Sequence, residues 1–448
     1  MSKTIISVSG LRGIIGESLD PQLAMRYATA FVSTLPASGS IVVSRDGRAS
    51  GSMLADAIRS AIAALGFDVL YADVAATPTT GVLVCEHSAV GGIQISASHN
   101  PAPYNGMKLF GKDGRVISAA EGEQVLTKYH ADEANWVSHD KLGAAENVED
   151  TTSVHLQKVL ATVDANVIRA RKFKVVLDSN CGAGSVLGRR LLEELGCDFQ
   201  ILGDTPNGEF VHTPEPTREN LATIAKQAVD FGAHAVFCQD PDADRLAIID
   251  ELGNYIGEEY TLAITANQRL AQTKGPVVVN CATSRMTADI AAKHGCDFHV
   301  SAVGEANVTQ LMIEKNAVYG GEGNGGPIDP KVGYVRDSFV AMAQVLDAMA
   351  AQDKTISQLI ADIPSYDIHK TKIALDRDKV PQVMDLLEDH FDANSANRQD
   401  GLRLDWDDRW LLFRPSNTEP IVRAIAEART AEIAAELCEV AAKLSAQV

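Results

Sequence analysis

A serine and a lysine lie close together in a stretch whose other residues favour a sharp turn. Residues 96–101 read Ser-Ala-Ser-His-Asn-Pro, and Lys108 follows shortly after them. Asn and Pro restrict the backbone, so we expect the hydroxyl of Ser98 to be exposed at a bend. The apolar run at 91–95 predicts a strand that delivers Ser98 to the carboxyl edge of a sheet, where open α/β folds bind ligands. The alternative is a polar turn with an ordinary surface serine.

Three aspartates at alternate positions, Asp240, Asp242 and Asp244, predict a metal site. Carboxylates this close repel one another unless a cation compensates, and oxygen ligands of this kind suit Mg²⁺. An EF-hand is excluded because Arg245 stands where that loop needs glycine, and because the flanking apolar runs resemble buried strands. A solvated acidic turn is the alternative, although an arginine directly after the aspartates suits a site that also binds phosphate.

Two further stretches have the composition of loops that bind a phosphorylated sugar. Residues 320–326 are rich in glycine and carry Glu322 and Asn324, whose side chains can bind sugar hydroxyls. Taken alone, this stretch is equally typical of a surface turn. Near the C-terminus, one bend combines an arginine, hydroxyls and an amide, which is the composition of a phosphate-binding loop. Its candidate residues are Arg414, Ser416, Asn417 and Thr418, with Arg423 just beyond.

With these four loops in this order, the chain resembles the α-D-phosphohexomutase family along essentially its whole length. The resemblance begins at residues 9–13, Ser-Gly-Leu-Arg-Gly, which are similar to the family's N-terminal arginine motif. It implies that Ser98 carries a phosphoryl group as phosphoserine and contacts the Mg²⁺ held by the three aspartates. It also implies that Arg12 and Lys108 flank the phosphoryl transfer. The sugar would be contacted by Glu322 and Asn324, and the substrate phosphate by Arg414, Ser416, Asn417 and Thr418.

The sugar loop departs from the family's common pattern, Gly-Glu-x-Ser-Gly-His. Asn324 stands at the serine position and Gly326 at the histidine position, so any role of that histidine is missing. With residues 303–308 upstream, this version looks like the archaeal-type phosphoglucosamine and phosphogluco/mannomutases. The preferred hexose phosphate, glucosamine, glucose or mannose phosphate, therefore stays open.

The residues predict how a phosphoryl group would move between two hydroxyls of one sugar. Phosphorylated Ser98 would donate to the substrate, form a sugar 1,6-bisphosphate and take back the other phosphoryl group, while Mg²⁺ neutralises developing charge. Lys108 is an acid–base candidate if burial or its neighbours Arg12 and Arg245 lower its pKa; an exposed lysine is the alternative. His99 is either a catalytic base or a residue that orients the loop, since adjacent side chains usually point apart.

Bulk composition agrees with a cytoplasmic metabolic enzyme, whose partner, as the resemblance implies, would be a small phosphosugar. The 448 residues include 59 acidic and 40 basic ones, giving a formal charge of −19, which disfavours nucleic acid and anionic membranes as partners. Seven cysteines, without a CxxC motif, indicate free thiols in a reducing compartment. We expect no signal peptide and no membrane span, and a monomer or homodimer.

An internal repeat predicts the architecture. Three times, an apolar strand, an amphipathic helix, a glycine and a second strand follow one another, with helices expected around 53–65, 186–195 and 285–294. Such units favour parallel sheets, although chance similarity among them is the alternative. We expect an α/β fold of three related α/β domains with mixed, largely parallel sheets, plus a C-terminal α+β domain, around a central cleft.

The predicted domains each carry one loop. They are 1–150 with the phosphoserine loop, 151–252 with the metal loop, 253–365 with the sugar loop and 366–448 with the phosphate loop. The last segment lacks the repeat and predicts strands at 402–406, 410–413 and 421–427 before a helix near 430–446.

Two other functional classes stay open. A metal-dependent sugar phosphatase would also use a serine and aspartates but would pass the phosphoryl group to water. A non-catalytic phosphosugar-binding protein would keep the phosphate loop yet need neither Ser98 nor the aspartates.

Overall fold

The computed structural model describes residues 5–7, 10–416 and 421–448. The first seven strands are β1 (Ile5–Ser7), β2 (Gly10–Ile14), β3 (Ser40–Arg45), β4 (Asp68–Val74), β5 (Gly91–Ile95), β6 (Tyr104–Gly111) and β7 (Ala145–Asn147). The accompanying helices are α1 (Pro21–Val32), α2 (Gly51–Ala64), α3 (Thr77–Glu86) and α4 (Ala119–Ala131). These strands form one sheet in the order β1-β2-β6-β5-β3-β4-β7.

The next part of the chain builds two four-stranded sheets. The second domain contains α5 (Ser153–Leu160), α6 (Ala165–Arg171), β8 (Lys174–Asp178), α7 (Gly184–Glu194), β9 (Asp198–Leu202), α8 (Ala222–Phe231), β10 (Ala235–Gln239) and β11 (Leu246–Ile249). The third contains α9 (Glu258–Gln272), β12 (Val277–Asn280), α10 (Met286–His294), β13 (Phe298–Ser301), α11 (Glu305–Glu314), β14 (Tyr319–Glu322), β15 (Gly326–Ile328), α12 (Ser338–Gln352) and α13 (Ile356–Ala361).

The three sheets share one topology. The strand orders β6-β5-β3-β4, β11-β10-β8-β9 and β15-β14-β12-β13 are equivalent: three parallel strands with one antiparallel strand at an edge. Each repeat consists of two strand–helix–strand units followed by a hairpin. Such units favour parallel strands joined by right-handed crossovers. The expectation of three related α/β domains is confirmed.

The fourth domain is an antiparallel sheet with helices. Its elements are β16 (Asp367–Ala374), α14 (Val380–His390), β17 (Ser395–Asn397), β18 (Leu402–Asp405), β19 (Trp410–Pro415), β20 (Ile421–Ala428) and α15 (Ala431–Ser445). The sheet order is β16-β20-β19-β18-β17. No pattern in the sequence predicted β16, β17 or α14. Most of β16 and all of β17 is exposed or half-buried at the two edges of the sheet, so neither strand carries a strong apolar pattern.

Helix α12 joins the second and third domains through a shared core. Every residue from 338 to 350 in this helix is buried, as expected of a helix that is apolar on all sides. One hydrophobic cluster contains Leu177 and Leu187 of the second domain together with Leu262 and Phe339 of the third. This shared core therefore positions the metal loop of the second domain and the sugar loop of the third relative to each other.

The fourth domain docks on the third through a buried tryptophan. Trp410 is fully buried and packs with Leu412 beside Cys281. Its Nε1 donates to Glu427 Oε1 (2.8 Å), and the backbone N of Arg285 donates to the same oxygen (3.0 Å). The interface therefore combines apolar packing with polar contacts that fix the orientation of the two domains.

All seven cysteines are free thiols. Among the helices of the described ranges, none combines the length and the hydropathy that crossing a lipid bilayer requires.

Candidate active site

The serine, metal and sugar loops occupy the same position in the three repeats. Each joins the third parallel strand to the antiparallel strand: Ser98 lies between β5 and β6, the aspartates between β10 and β11, and Glu322 at the β14–β15 hairpin. The structure brings these loops together. The Oγ of Ser98 donates to Oδ2 of Asp240 at 2.7 Å, although 142 residues separate them in sequence.

Ser98 is buried, with 1 % of its surface exposed, so the expectation of an exposed hydroxyl is wrong. The turn was predicted correctly, but the aspartate loop of the second domain closes over it. Ser98 also has a left-handed backbone (φ 50°), a conformation that costs free energy for a residue with a side chain. The surrounding loop must hold it there.

Arg48 supplies that support and was not predicted. This buried guanidinium donates to the carbonyl oxygens of Ser98 (2.7 Å), Asn100 (2.6 Å), Pro101 (2.8 Å) and Tyr104 (3.1 Å). Its Nε lies 3.1 Å from Oδ2 of Asp46, so its charge is paired. The only feature of the sequence at this position is the Asp-Gly-Arg stretch directly after β3, and it does not indicate that the arginine contacts the serine loop.

The three aspartates form a closed carboxylate cluster. Asp240, Asp242 and Asp244 are fully buried, and one oxygen from each lies within 4.8 Å of the others. In the part of the chain that the structure describes, Oδ1 of Asp242 and Oδ1 of Asp244 are buried without a hydrogen-bond partner. Burial, and then the charges of Asp242 and Asp244, raise the pKa of Asp240. The solvated acidic turn is excluded, and the donor set fits a hard metal cation.

Lys108 is buried against this cluster. Its Nζ donates to Oδ2 of Asp242 (2.5 Å) and to Oδ2 of Asp244 (2.7 Å). Burial would lower its pKa, but the two aspartates outweigh that effect and raise the pKa of Lys108 to about 12. The expectation of a lowered pKa is therefore wrong in this arrangement, because the nearest charges are carboxylates rather than arginines.

Arg12, Arg245 and His99 complete the surroundings of Ser98. Burial is the largest cause that lowers the pKa of Arg12, which lies on β2 near Arg245 and Asp242. The backbone N of Arg245 donates to Oδ1 of Asp240 (3.3 Å). His99 Nδ1 lies 3.4 Å from Ser98 Oγ, closer than adjacency in sequence predicted. Burial, with Arg245 and Arg12, lowers the pKa of His99 to about 3, so its ring is neutral.

Glu322 is fixed at both carboxylate oxygens. Its Oε1 accepts from Asn280 Nδ2 (2.6 Å) and the backbone N of Gly304 (3.1 Å). Its Oε2 accepts from Arg336 Nη1 (2.6 Å) and, more weakly, from Asn324 Nδ2 (3.4 Å). Burial would raise the pKa of Glu322, but Arg336 and Asn280 hold it below its usual value. Glu322 is therefore an ionised acceptor with a set orientation.

A second glutamate, Glu259, lies under the sugar loop. Its carboxylate lies directly against Gly323, where a Cβ would overlap both carboxylate oxygens. Its Oε2 accepts from the backbone N of Ser284 (3.0 Å). Burial is the main cause that raises the pKa of Glu259 to about 8, and the charge of Glu427 adds to it.

Glu259 predicts that stability falls as pH rises through neutrality. An unfolded glutamate titrates near ~4.3, so between that pH and about 8 the folded state keeps a proton that the unfolded state has lost. Each rise in pH within this window then favours unfolding. We expect the thermal midpoint to drop between pH 6 and pH 8.5, and to drop less in Glu259→Gln. Glu314→Gln, an exposed change in the same domain, should keep the full drop.

The phosphate loop lies on the fourth domain, and Asn417 and Thr418 are outside the described residues. Arg414 Nε donates to Oδ2 of Asp400 (2.7 Å), which also accepts from the backbone N of Val303 (2.9 Å) in the third domain. Ser416 is buried, whereas Arg423 is exposed on β20. The structure therefore brings the serine loop against the metal loop, places the sugar loop beside the metal loop (Leu246 N to Gly325 O, 2.9 Å) and ties Arg414 to the edge of the third domain.

Family profiles cover nearly the whole chain in four consecutive matches. They are described as phosphoglucomutase/phosphomannomutase α/β/α domain I (residues 3–136), domain II (153–253), domain III (257–366) and C-terminal domain (371–444).

Curated relatives match end to end. A phosphoglucomutase/phosphomannomutase of Thermococcus kodakarensis is 34% identical over 97% of both chains. A protein of Methanosarcina barkeri described as "Probable phosphoglucosamine mutase" is 32% identical over 98% of both chains.

Solved structures show the same fold. A phosphoglucomutase/phosphomannomutase family protein of Burkholderia thailandensis superimposes with a TM-score of 0.85 at 24% identity, covering 99% of this chain and 97% of that one. The Paramecium phosphoglucomutase parafusin, in its open form, has a TM-score of 0.80 at 17% identity, covering 99% and 96%. The fold and the relatives define a mutase, an enzyme of the isomerase class. The chain belongs to the phosphoglucomutase/phosphomannomutase family.

Proposed function

We propose that this phosphohexomutase moves a phosphoryl group between the 1- and 6-positions of a hexose phosphate through phosphoserine at Ser98. One observation carries the proposal: the buried Ser98 hydroxyl lies 2.7 Å from Asp240 in a closed carboxylate cluster. A serine in an apolar or solvated setting would lack the electrophilic help that phosphoryl transfer needs.

The chain's own residues would do the following work. Arg48 keeps the loop in the strained conformation that aims Ser98 at the cluster. Asp240, Asp242, Asp244 and Ser98 would hold Mg²⁺, which supplies Lewis-acid neutralisation of the transferring group's charge. Arg12 and Arg245 bind the oxygens of the transferring phosphoryl group. Lys108, whose Nζ donates to Asp242 and Asp244, is charged and donates a hydrogen bond to the oxygens of the transferring group, so it is not the base that takes the proton of the substrate hydroxyl.

The substrate spans two loops in this proposal. Glu322 accepts hydrogen bonds from sugar hydroxyls, and Asn324 donates to them. The phosphate at the far end of the substrate is bound by Arg414, Ser416, Asn417, Thr418 and Arg423. The bond between phosphorus and Ser98 Oγ breaks as a bond to the free hydroxyl of the substrate forms, and the proton of that hydroxyl ends on Ser98 Oγ, which gives a sugar 1,6-bisphosphate. That intermediate turns over in the cleft and returns its other phosphoryl group to Ser98, so the bisphosphate also acts as the activator.

Parallel incubations test the function. Purified protein with Mg²⁺ and glucosamine, glucose or mannose 1-phosphate, each with a trace of its 1,6-bisphosphate, should convert at least one of them to the 6-phosphate. Release of inorganic phosphate would indicate a phosphatase instead, and no change in any of the three substrates would indicate a binding protein. A side-by-side panel of glucosamine, glucose and mannose 1-phosphates then ranks the substrates by kcat/KM.

We further propose that the enzyme works in the cytoplasm as a monomer or homodimer. Seven free cysteines suit a reducing compartment. A formal charge of −19 disfavours association with nucleic acid or anionic membranes.

Arg414→Ala is expected to weaken binding of a hexose 6-phosphate by ~1.5–3 kcal/mol, the worth of a hydrogen bond to a charged group. Phosphorylation of Ser98 should persist, because the serine belongs to the first domain. Calorimetric titration measures the affinity, and intact mass measures the phosphate. Arg398→Ala, which removes an exposed ion pair with Asp385 and Glu388 in the same domain, is the matched control. Equal affinity in both variants would rule out Arg414 as a phosphate ligand.

Motion of the fourth domain belongs to the same proposal. A bisphosphate that turns over must leave its phosphate contacts without reaching bulk water, which a hinged domain permits by opening and closing. Solution scattering should show residues 366–448 closing over the cleft when a hexose phosphate is added. Identical profiles with and without ligand would contradict this motion.

A further inference from the structure

One arginine outside every predicted motif connects the metal loop to the sugar loop. Arg336 precedes α12 and is 7 % exposed. Its Nη2 donates to Oδ2 of Asp244 (2.7 Å), and its Nη1 donates to Oε2 of Glu322 (2.6 Å). The backbone N of Arg336 donates to Oε1 of Glu305 (2.7 Å). A single guanidinium therefore spans the corresponding hairpins of two different domains.

The carboxylates of Asp244 and Glu322, to which Arg336 donates, also accept hydrogen bonds from other residues. Oδ2 of Asp244 also accepts from Lys108, while Oδ1 of Asp244 is buried without a hydrogen-bond partner among the described residues and lies 3.7 Å from Nε of Arg245. Oε1 of Glu322 is taken by Asn280 and Gly304. Arg336 and Lys108 together therefore leave Oδ1 of Asp244 as the oxygen available to a cation, and Arg336 determines where Oε2 of Glu322 lies.

The shape of the arginine also accounts for the glycine at position 326. A Cβ on Gly326 would lie 2.8 Å from Cγ and 3.0 Å from Cβ of Arg336, and closer still to Cδ. Both ends of the Arg336 side chain are pinned, so it cannot move aside cheaply. The backbone of Gly326 is outside the left-handed region, so space and not backbone conformation requires glycine there.

We propose that Arg336 is a positioning residue for phosphoryl transfer, which sets the separation of Asp244 and Glu322 and fills the space beside Gly326. The inference rests on the proposed function, because it assigns the two carboxylates to metal and sugar. The planar fork of Arg336 donates to the two carboxylates from two separate nitrogens in fixed directions. A lysine offers one nitrogen, which holds two carboxylates only where both approach that same atom, as Asp242 and Asp244 do at Lys108. The role therefore depends on the shape of the side chain as well as on its charge.

Three variants and one control test the proposal. Arg336→Met should weaken Mn²⁺ binding to the substrate-free protein, measured by calorimetry, by ~10- to 100-fold, the usual effect of removing a group that orients a ligand. It should also raise KM for the hexose 1-phosphate by ~10-fold or more. In Arg336→Lys, Mn²⁺ affinity and KM should not both return to their wild-type values. Arg269→Met, which removes another buried arginine–aspartate pair (with Asp329) in the same domain, should lower the thermal midpoint only.

The third variant tests the packing. Gly326→Ala alone should reproduce the Arg336→Met changes, and in an Arg336→Ala background it should add little to them. If the effects of Gly326→Ala and Arg336→Ala on Mn²⁺ affinity and KM were additive in the double variant, the two residues would not act through a shared contact. If Arg336→Met behaves like Arg269→Met, or if Arg336→Lys restores both quantities, the positioning role is wrong. An inactive wild-type protein would instead contradict the proposed function, while Mn²⁺ binding by the variants would still test the contact with Asp244.

Discussion

Ser98→Ala is expected to reduce mutase turnover by ~10³-fold or more, because the covalent carrier of the phosphoryl group is removed. The fold should survive. The loop is held by Arg48 through backbone oxygens, and the lost hydrogen bond to Asp240 costs at most ~3 kcal/mol. A coupled assay measures turnover. Intact mass of the wild-type protein should show a fraction with one added phosphate that the variant lacks.

A matched control separates chemistry from structure. Ser118→Ala removes the N-cap of α4 in the same domain, and should cost ~1 kcal/mol of stability with turnover unchanged. Wild-type turnover in Ser98→Ala would refute the phosphoserine mechanism, whatever happens to stability.

Asp242→Asn is expected to lower both metal affinity and turnover, each by ~10²-fold or more, because one charged ligand is lost from the cluster. The same change weakens the contacts of Oδ2 with Lys108 and Thr77 (both 2.5 Å). Titration of activity with Mg²⁺ and calorimetric titration with Mn²⁺ measure the two effects. Wild-type activity should vanish in EDTA and return when excess Mg²⁺ is added.

Asp178→Asn is the control for loss of a buried carboxylate. Asp178 lies in the second domain at the end of β8, where its Oδ2 accepts from His212 Nε2 (2.7 Å), outside the cluster. Its replacement should change stability but leave the Mg²⁺ dependence as in the wild type. Activity that resists EDTA would show that the three aspartates do not serve as a metal site.

The order of the loops and the three repeated domains were predictable because both are local patterns. Strand, helix, glycine and strand follow one another in sequence, and each loop carries its chemistry in a few adjacent residues. The α2 helix, predicted around 53–65, spans Gly51–Ala64 in the structure. Errors of this size arise because helix ends depend on capping contacts rather than on periodicity.

The environment of each side chain was not predictable, since it depends on contacts between domains. Ser98 is buried by a loop from another domain, and Lys108 is charged because two distant aspartates surround it. Arg48 and Arg336 lie in no motif that sequence reasoning recognises. A glycine at 326 was visible in the sequence, but the arginine that requires it is seen only in the folded chain.

The core that the second and third domains share limits how the protein can be divided. Three repeated domains and a C-terminal domain suggest four exchangeable modules, yet α12 packs its whole circumference between the second and third of them. A fragment that stops after β11 would leave one half of an interior exposed to water and would aggregate rather than fold. Chimeras between relatives should therefore transfer the second and third sheets with α12 as one piece, and reserve exchange of single modules for the C-terminal domain.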